Sequence, residues 1–473
     1  MISYFRSILP SRLILLVLLY LAIRVPLILL GIPATVPELN FMLVGERMAD
    51  GFAMYREIYD STAPLSALVY WTIDVVAGRS YLTYRLVATA LLLAQALALN
   101  TTLIRNKVYQ EKNYLPALVY LTLGCLTLEF EMLTPLLIGY TFVILSLPYF
   151  ITLSREGLDN SRLFIGGFML GLAALSFLPL ALFLLMGLFA IIFFASATFR
   201  SSLLMLCGFA FPYAMLLSYY LFTGTVSNFL ELHLLRPWQF EVSFLIPPAD
   251  LAKLLVLPVL VLALSLFSML SLPQRLVFQV KFQQLMVVWL MVSLMVIISR
   301  DEVSAALFLV LLPPIAYFSE FLFTSRMKPW VITLIYLVML AGVVLLRYRQ
   351  PLGVSAWVKI DESGILLPDS PPQSIKGTSV LVLGNDIRYY IHNKIATPYL
   401  NWKLSQRHFG WLKDYEAVFA LYQNFQKESP EYIIDQVGLM PELKYKLPTV
   451  FDAYEATDAP AVYKRQGKQN RSL

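Results

Sequence analysis

Between residues 13 and 346 the sequence passes through eleven apolar stretches, and this recurrence constrains the fold more than any other feature. They cover 13–30, 81–104, 114–127, 133–153, 163–177, 180–197, 203–222, 251–270, 285–298, 303–322 and 330–346. A helix needs about 20 mainly apolar residues to cross about 30 Å of hydrocarbon, rising about 1.5 Å per residue. Of the 473 residues, 59% are hydrophobic and 14% charged, with a mean hydropathy of +0.70. A soluble domain is about 45–50% apolar and about 25% charged. A water-soluble enzyme, a disordered chain and a fibre are excluded, and the apolar excess must face lipid. The net charge of +6 is too mild to indicate a nucleic-acid partner. Cys125 and Cys207 lie inside apolar runs and support neither a disulfide framework nor a thiolate metal site.

Charge divides the chain near Arg347. Residues 1–346 hold 20 basic and 17 acidic side chains, and the remaining quarter of the chain holds 16 and 13. The expected organisation is a membrane domain over 1–347 with about 11 transmembrane helices, followed by a soluble α/β domain over 348–473. The stretch 65–78 is too short to cross and carries Asp74, so it reads as an interfacial helix. With the N-terminus cytoplasmic, Arg6, Arg12, Arg105, Lys107, Lys112, Arg155, Arg162, Arg200, Arg275, Lys281, Arg326 and Lys328 fall in short inner segments. This topology puts the C-terminal domain outside the plasma (inner) membrane. It also gives two long outer loops, 31–80 and 223–250. The first span lacks a small-residue cleavage site and is expected to be retained. No internal repeat of the kind a transporter predicts is found.

The first outer loop carries six carboxylates, Glu38, Glu46, Asp50, Glu57, Asp60 and Asp74, beside three arginines. Glu38 and Glu46 are two helical turns apart on one stripe. A carboxylate just past the end of a span sits in low dielectric, where its proton affinity shifts and it can accept a proton from an attacking hydroxyl. Glu38 directly follows the first span and is the leading candidate; a solvated, charge-paired loop is the alternative for the others. Glu129 and Glu131 end the third span, where acids are costly; reaching the headgroups is their alternative. Arg24 and Arg85, near the outer ends of the first two spans, suit a phosphate or else snorkel to the interface. In the second loop His233 and Arg236 are three residues apart on one face of a helix that Pro237 ends. They read as a phosphate or metal-bridging pair, or His233 as a structural histidine.

These pieces, in this order, resemble the C-type superfamily of glycosyltransferases, polytopic enzymes such as protein O-mannosyltransferases and the bacterial lipid A aminoarabinose transferases. The resemblance rests on Glu38, Gly51-Phe52-Ala53-Met54-Tyr55, Asp60, Pro64-Leu65, Gly78 and Arg85, then Phe229, His233 and Arg236. Relatives usually carry Asp, often Asp-Glu, where this chain has Glu38-Leu39, and often a lysine after the fifth span, where it reads Ser176-Phe177-Leu178-Pro179. The resemblance implies a sugar donor on a polyprenyl phosphate, with Glu38 taking the proton of an acceptor hydroxyl and inversion at the anomeric carbon. Asp60 or Glu131 would assist, directly or through a divalent metal ion, with Glu129 and Glu46 as further acids or metal ligands. Arg24, Arg85, His233 and Arg236 would hold the leaving phosphate. The acceptor would be a glycan, lipid or protein, and the rival reading is a non-catalytic membrane component binding a lipid-linked glycan or a partner protein.

In the last domain 379–384 reads as a buried strand, 415–427 as a helix, 431–435 as a second strand and 461–464 as an edge strand. Tyr389, Tyr390, Tyr399, Trp402, His408 and Trp411 either stack on sugar rings or belong to the core.

Overall fold

The computed structural model describes residues 2–31, 33–151, 160–194, 199–235, 243–270, 276–356, 358–367 and 375–466. It is mostly helical. Seven described helices are long and apolar enough to cross a membrane: Pro10–Leu30, Tyr81–Arg105, Phe199–Phe222, Pro248–Leu270, Val277–Ile298, Ala305–Phe323 and Pro329–Arg347. The other apolar stretches form shorter helices, Leu115–Leu123, Pro135–Ile151, Asn160–Ser176 and Phe183–Phe194. The interfacial segment is the 14-residue helix Pro64–Ala77, whose Leu68, Trp71, Val75 and Val76 are exposed.

The third apolar stretch breaks early. Its helix ends at Leu123, and the chain runs irregularly to Thr134 apart from the 3₁₀ turn Leu128–Glu131. Backbone carbonyls freed there cannot be left without donors beside lipid. Arg24 supplies two, donating to Gly124 O at 3.3 Å and Phe130 O at 2.7 Å while its Nε holds Thr89 Oγ1 at 2.9 Å. Arg347 donates to Cys125 O, Ile23 O and Arg24 O and pairs with Glu131. Two arginines from the first and last spans thus stitch the broken segment in place.

Elsewhere the bundle closes through small residues. Asn160–Ser176 packs on Phe199–Phe222, and a Cβ added at Gly167 would collide with Met205 O, one at Gly208 with Phe164 O. Such close backbone approach is how helices associate where lipid removes the hydrophobic drive.

Past the last span, the linker returns to the first outer loop. Val36 N donates to Ile365 O and Leu367 N to Ala34 O, at 2.8 and 2.9 Å. The outer domain holds a five-stranded sheet of β3 (Ser379–Leu383), β4 (Lys394–Ile395), β5 (Tyr432–Asp435), β6 (Tyr454–Ala456) and β7 (Val462–Arg465), in the order β4-β3-β5-β7-β6. β3 pairs parallel with both β4 and β5; β7 runs antiparallel to β5 and β6. Its core gathers Leu381, Leu383, Ile433, Leu421, Phe425 and Phe451. Tyr390, Tyr399 and His408 are buried, as the core alternative requires, whereas Trp411 is exposed.

Opposite charges hold the outer domain down. Its Lys394, Lys403, Arg407 and Lys427 face Asp50, Glu302, Glu231 and Glu57 of the membrane domain, at 3.2, 2.9, 2.7 and 3.8 Å. These pairs are exposed at the rim and screened by salt. The buried contact is Arg47, which grips both Glu428 oxygens at 2.8 Å, donates to Ile395 O and lies over the Phe52 ring.

Gly167→Leu is expected to force the two helices apart and destabilise the bundle by about 1–3 kcal/mol, the usual range for overpacking. Thermal unfolding in detergent measures it.

Candidate functional site

Three polar stations occupy the face that carries the C-terminal domain. The first is Glu38. Thr35 caps the helix Val36–Ala49, its hydroxyl accepting from Glu38 N at 3.3 Å and donating to Glu38 Oε2 at 3.1 Å. Arg85, one turn into the second span, clasps the same carboxylate with Nε at 2.9 Å and Nη2 at 2.8 Å, and also reaches Pro33 O. Glu38 is 1% exposed. Two candidates drawn from different segments are therefore brought together as one buried, two-pronged ion pair. Tyr81 lies beside them, its ring 5.8 Å from the Arg85 guanidinium carbon and within electrostatic reach of Glu38. Its buried hydroxyl has no hydrogen-bond partner among the described residues. Orphaned buried hydroxyls are rare and ask for an explanation such as a bound polar group.

The second station is Asp60. It is buried, and Thr62 donates to it through N–H at 2.7 Å and through the hydroxyl. Burial raises the Asp60 pKa above the ordinary carboxylate value, against the opposing bonds from Thr62 and Asn401; Glu302 adds a smaller push in the same direction. Arg300 stands nearby in the chain, two residues before Glu302. Its guanidinium is 5.2 Å from the centre of the Phe177 ring and pairs with its own neighbour Asp301 at 3.5 Å. The Ser176–Pro179 turn thus receives a cation from the segment that follows the helix Val277–Ile298. Ser243 N donates to Asp301 O at 2.6 Å, and β1 (Ser243–Phe244) pairs with β2 (Glu302–Val303), so the second outer loop ends here.

The third station is His233, in the turn of π-helix Leu230–Leu235. It is stacked on Phe229 and Tyr213, with ring centres 5.3 and 6.1 Å away, and its Nε2 is 3.4 Å from the Tyr213 hydroxyl. Burial lowers the His233 pKa to about 4. The ring is neutral at physiological pH and offers one donor and one acceptor nitrogen. Arg236 lies outside the described residues.

The two outer loops do meet, at Tyr55. Asn228 Nδ2 donates to Tyr55 O at 3.1 Å, the Tyr55 ring packs on Tyr220 and Phe229, and its hydroxyl donates to Thr62 O at 2.7 Å. Tyr55 has φ +66°, a left-handed conformation that a bulky residue seldom holds. The Tyr55 bridge links the His233 station to the Asp60 station.

Four of the candidates have structural partners. Arg24 is fully buried and spends three of its five N–H donors on Thr89 and two backbone carbonyls, so it anchors helix ends. Glu129 accepts from Ala305 N at 3.1 Å and Ala306 N at 2.9 Å, capping the 3₁₀ helix that follows Ser304. Glu131 is paired with Arg347, and Glu46 with Arg79, which also donates to Tyr390 O and Ile391 O of the outer domain. No three His, Cys, Asp or Glu side chains gather into a metal-ligating group among the described residues. Sequence reasoning missed Arg79, Arg300, Arg347 and the Tyr81 hydroxyl. Arg347 had been read only as a domain boundary, although a lone guanidinium ending an apolar span was the available signal.

No protein-family model matches the chain, and no curated protein does. Solved structures of the oligosaccharyltransferase of Archaeoglobus fulgidus are similar to it. One, tethered to an acceptor peptide containing an NVT sequon, is 11% identical over 97% of this chain and 74% of that one, with a TM-score of 0.46. Another, the archaeal oligosaccharyltransferase AglB in complex with an inhibitory peptide and a dolichol-phosphate, is 12% identical over the same shares, with a TM-score of 0.46. The apo form is 11% identical over 98% and 74%, with a TM-score of 0.45. A likeness this distant carries no argument about chemistry.

Two pH effects follow. A buried acid of raised pKa binds its proton more tightly folded than unfolded, so it costs stability as pH rises from about 3.9 through its folded value. Asp60→Asn should therefore raise the melting temperature relative to wild type more at neutral pH than near pH 4, with equal shifts counting against a buried, ionising Asp60. His233, lowered to about 4, has the opposite sign: its contribution is present above pH 6.5 or so and is lost as pH falls towards its folded value. His233→Gln should flatten the stability profile in that window.

Proposed function

We propose that this chain is an integral membrane glycosyltransferase that moves a sugar from a polyprenyl-phosphate-linked donor to an acceptor hydroxyl on the outer face of the membrane. The acceptor is a glycan, lipid or protein, the anomeric centre inverts, and the N-terminus is cytoplasmic with the C-terminal domain outside. The observation that carries this reading is the Glu38–Arg85 pair buried at the membrane surface beside the unpartnered Tyr81 hydroxyl.

In this reading the donor phosphate takes guanidinium donors of Arg85 now shared with Glu38, and Tyr81 gives its hydroxyl hydrogen to a phosphate oxygen. Glu38, partly released, accepts the proton of the acceptor hydroxyl as that oxygen forms its bond to the anomeric carbon. The bond from that carbon to the phosphate oxygen breaks, and its electron pair leaves on the phosphate. Arg85 and Tyr81 stabilise the charge that develops there. Arg300 is the further cation at the outer face, and Asp60 stands as a second acid on the acceptor side. No step uses a metal ion.

One observation favours a second reading, a non-catalytic component that binds a lipid-linked glycan or a partner. The carboxylates of Glu38, Glu46 and Glu131 are all closed by arginines, and Glu129 by backbone donors.

Purified protein in nanodiscs, given a polyprenyl-phosphate sugar and an acceptor extract, should release polyprenyl phosphate. Glu38→Gln should lower the rate by about 10²–10⁴-fold, the usual contribution of a general base. Glu38→Asp, which keeps the ion pair, should remain folded with partial activity. Undiminished release from Glu38→Gln removes Glu38 as the base. Donor binding without release by the wild type supports the second reading.

A further inference from the structure

A separate hollow opens beside the start of the helix Pro248–Leu270, where the last span hands over to the outer domain. It has a volume of about 300 Å³ and is lined by Asp250, Lys253, Arg349, Ser355, Lys359 and Asp361 among others. That is the lower end of the range for small-ligand sites, about 300–1,000 Å³. None of these residues belongs to the stations described above.

Its charges are fixed in place. Lys253 Nζ donates to Asp250 Oδ1 at 2.5 Å and to Lys359 O at 2.9 Å, which leaves one of its three N–H donors unused. The second Asp250 oxygen accepts from Asp361 N at 2.8 Å. Arg349 is tied to Leu346 O and paired with Glu362. Two groups of opposite sign are left over. The Lys359 ammonium has no partner among the described residues, and the Asp361 carboxylate, which accepts from Ser363 N at 3.0 Å, faces no cation among them. The hollow therefore offers ammonium donors together with a carboxylate that Ser363 holds but no cation among the described residues pairs, the complement of a zwitterion.

Depth selects the ligand. Val256 and Leu260 lie three and seven residues beyond Lys253, on its face of the helix, and are 62% and 52% exposed. In a span these side chains face lipid, so an acyl chain runs along them directly below the hollow. We propose that this hollow binds the headgroup of an aminophospholipid from the outer leaflet, its phosphate diester on Lys253 and Lys359 and its ammonium on Asp361. A primary ammonium donates hydrogen bonds to Asp361, a quaternary one cannot, and a glycerol headgroup has no cation at all. The inference stands apart from the transferase reading, because it concerns lipid binding alone.

Native mass spectrometry of the delipidated full chain, titrated with phosphatidylethanolamine, phosphatidylcholine and phosphatidylglycerol, tests it. Phosphatidylethanolamine should bind most tightly. The double variant Lys253→Gln/Lys359→Gln should weaken it at least about tenfold, the effect of losing about 1.4 kcal/mol of charge-assisted bonding. Asp361→Asn should erase the preference over phosphatidylcholine while leaving phosphatidylcholine binding intact. All three side chains are at the surface, so the variants keep the fold. Equal binding of the three lipids, or binding unchanged in both variants, overturns the proposal. Displacement of the lipid by soluble glycerophosphoethanolamine at comparable concentration would assign the hollow to a free solute and overturn the lipid assignment.

Discussion

The outer half of this molecule depends on arginines buried against carboxylates and carbonyls at the membrane surface. Taking such ions out of water costs several kcal/mol each, and only good geometry with further hydrogen bonds offsets it. Arg347 meets that condition with Glu131 and three carbonyls, and Arg85 with both oxygens of Glu38. Arg24 meets it without a carboxylate, through Thr89 and the carbonyls of Gly124 and Phe130. Without these donors the chain between Leu123 and Pro135 would present bare carbonyls at the edge of the hydrocarbon. The first, second, third and last spans are bound to one another there.

That stitched platform fixes where the soluble parts sit. The first outer loop leaves it through the Thr35 cap and Glu38, and the linker from the last span pairs with the same strand of chain at Ala34 and Val36. Arg79 and Arg47 then carry the contact into the outer domain, and the four exposed ion pairs complete the rim. The two kinds of contact differ physically. The rim pairs are screened by salt and individually weak, whereas Arg47 is shielded and holds Glu428 with two bonds. The C-terminal domain is therefore seated by the buried Arg47 and the half-buried Arg79 and oriented by charges of opposite sign on its edge.

Periodicity and length made the helices legible in the sequence. The interfacial helix after Pro64 and the sheet strands around Val380 and Ile433 were readable because each follows from a local pattern. Glu38 and Arg85 were both readable as candidates. Their pairing was not, since it joins residues 47 positions apart through a turn that no local signal defines. The structural partners of Arg24 and Glu129 were not legible, because sequence shows an ionisable residue at a span's end but not the backbone it meets. The third helix was expected to run to residue 127, yet it stops at Leu123, and the freed backbone claims both side chains' neighbourhood. The neutrality of His233 was not legible, because sequence shows residue type but not the Phe229 and Tyr213 rings that desolvate it.

The central claim is that Arg85 and Tyr81 receive a lipid phosphate beside Glu38, and a cryo-EM structure of the chain with polyprenyl phosphate tests it most directly. The account places the phosphate within hydrogen-bonding distance of the Arg85 guanidinium and the Tyr81 hydroxyl, with one Glu38 oxygen freed. A phosphate bound elsewhere, over an unchanged Glu38–Arg85 clasp, contradicts it.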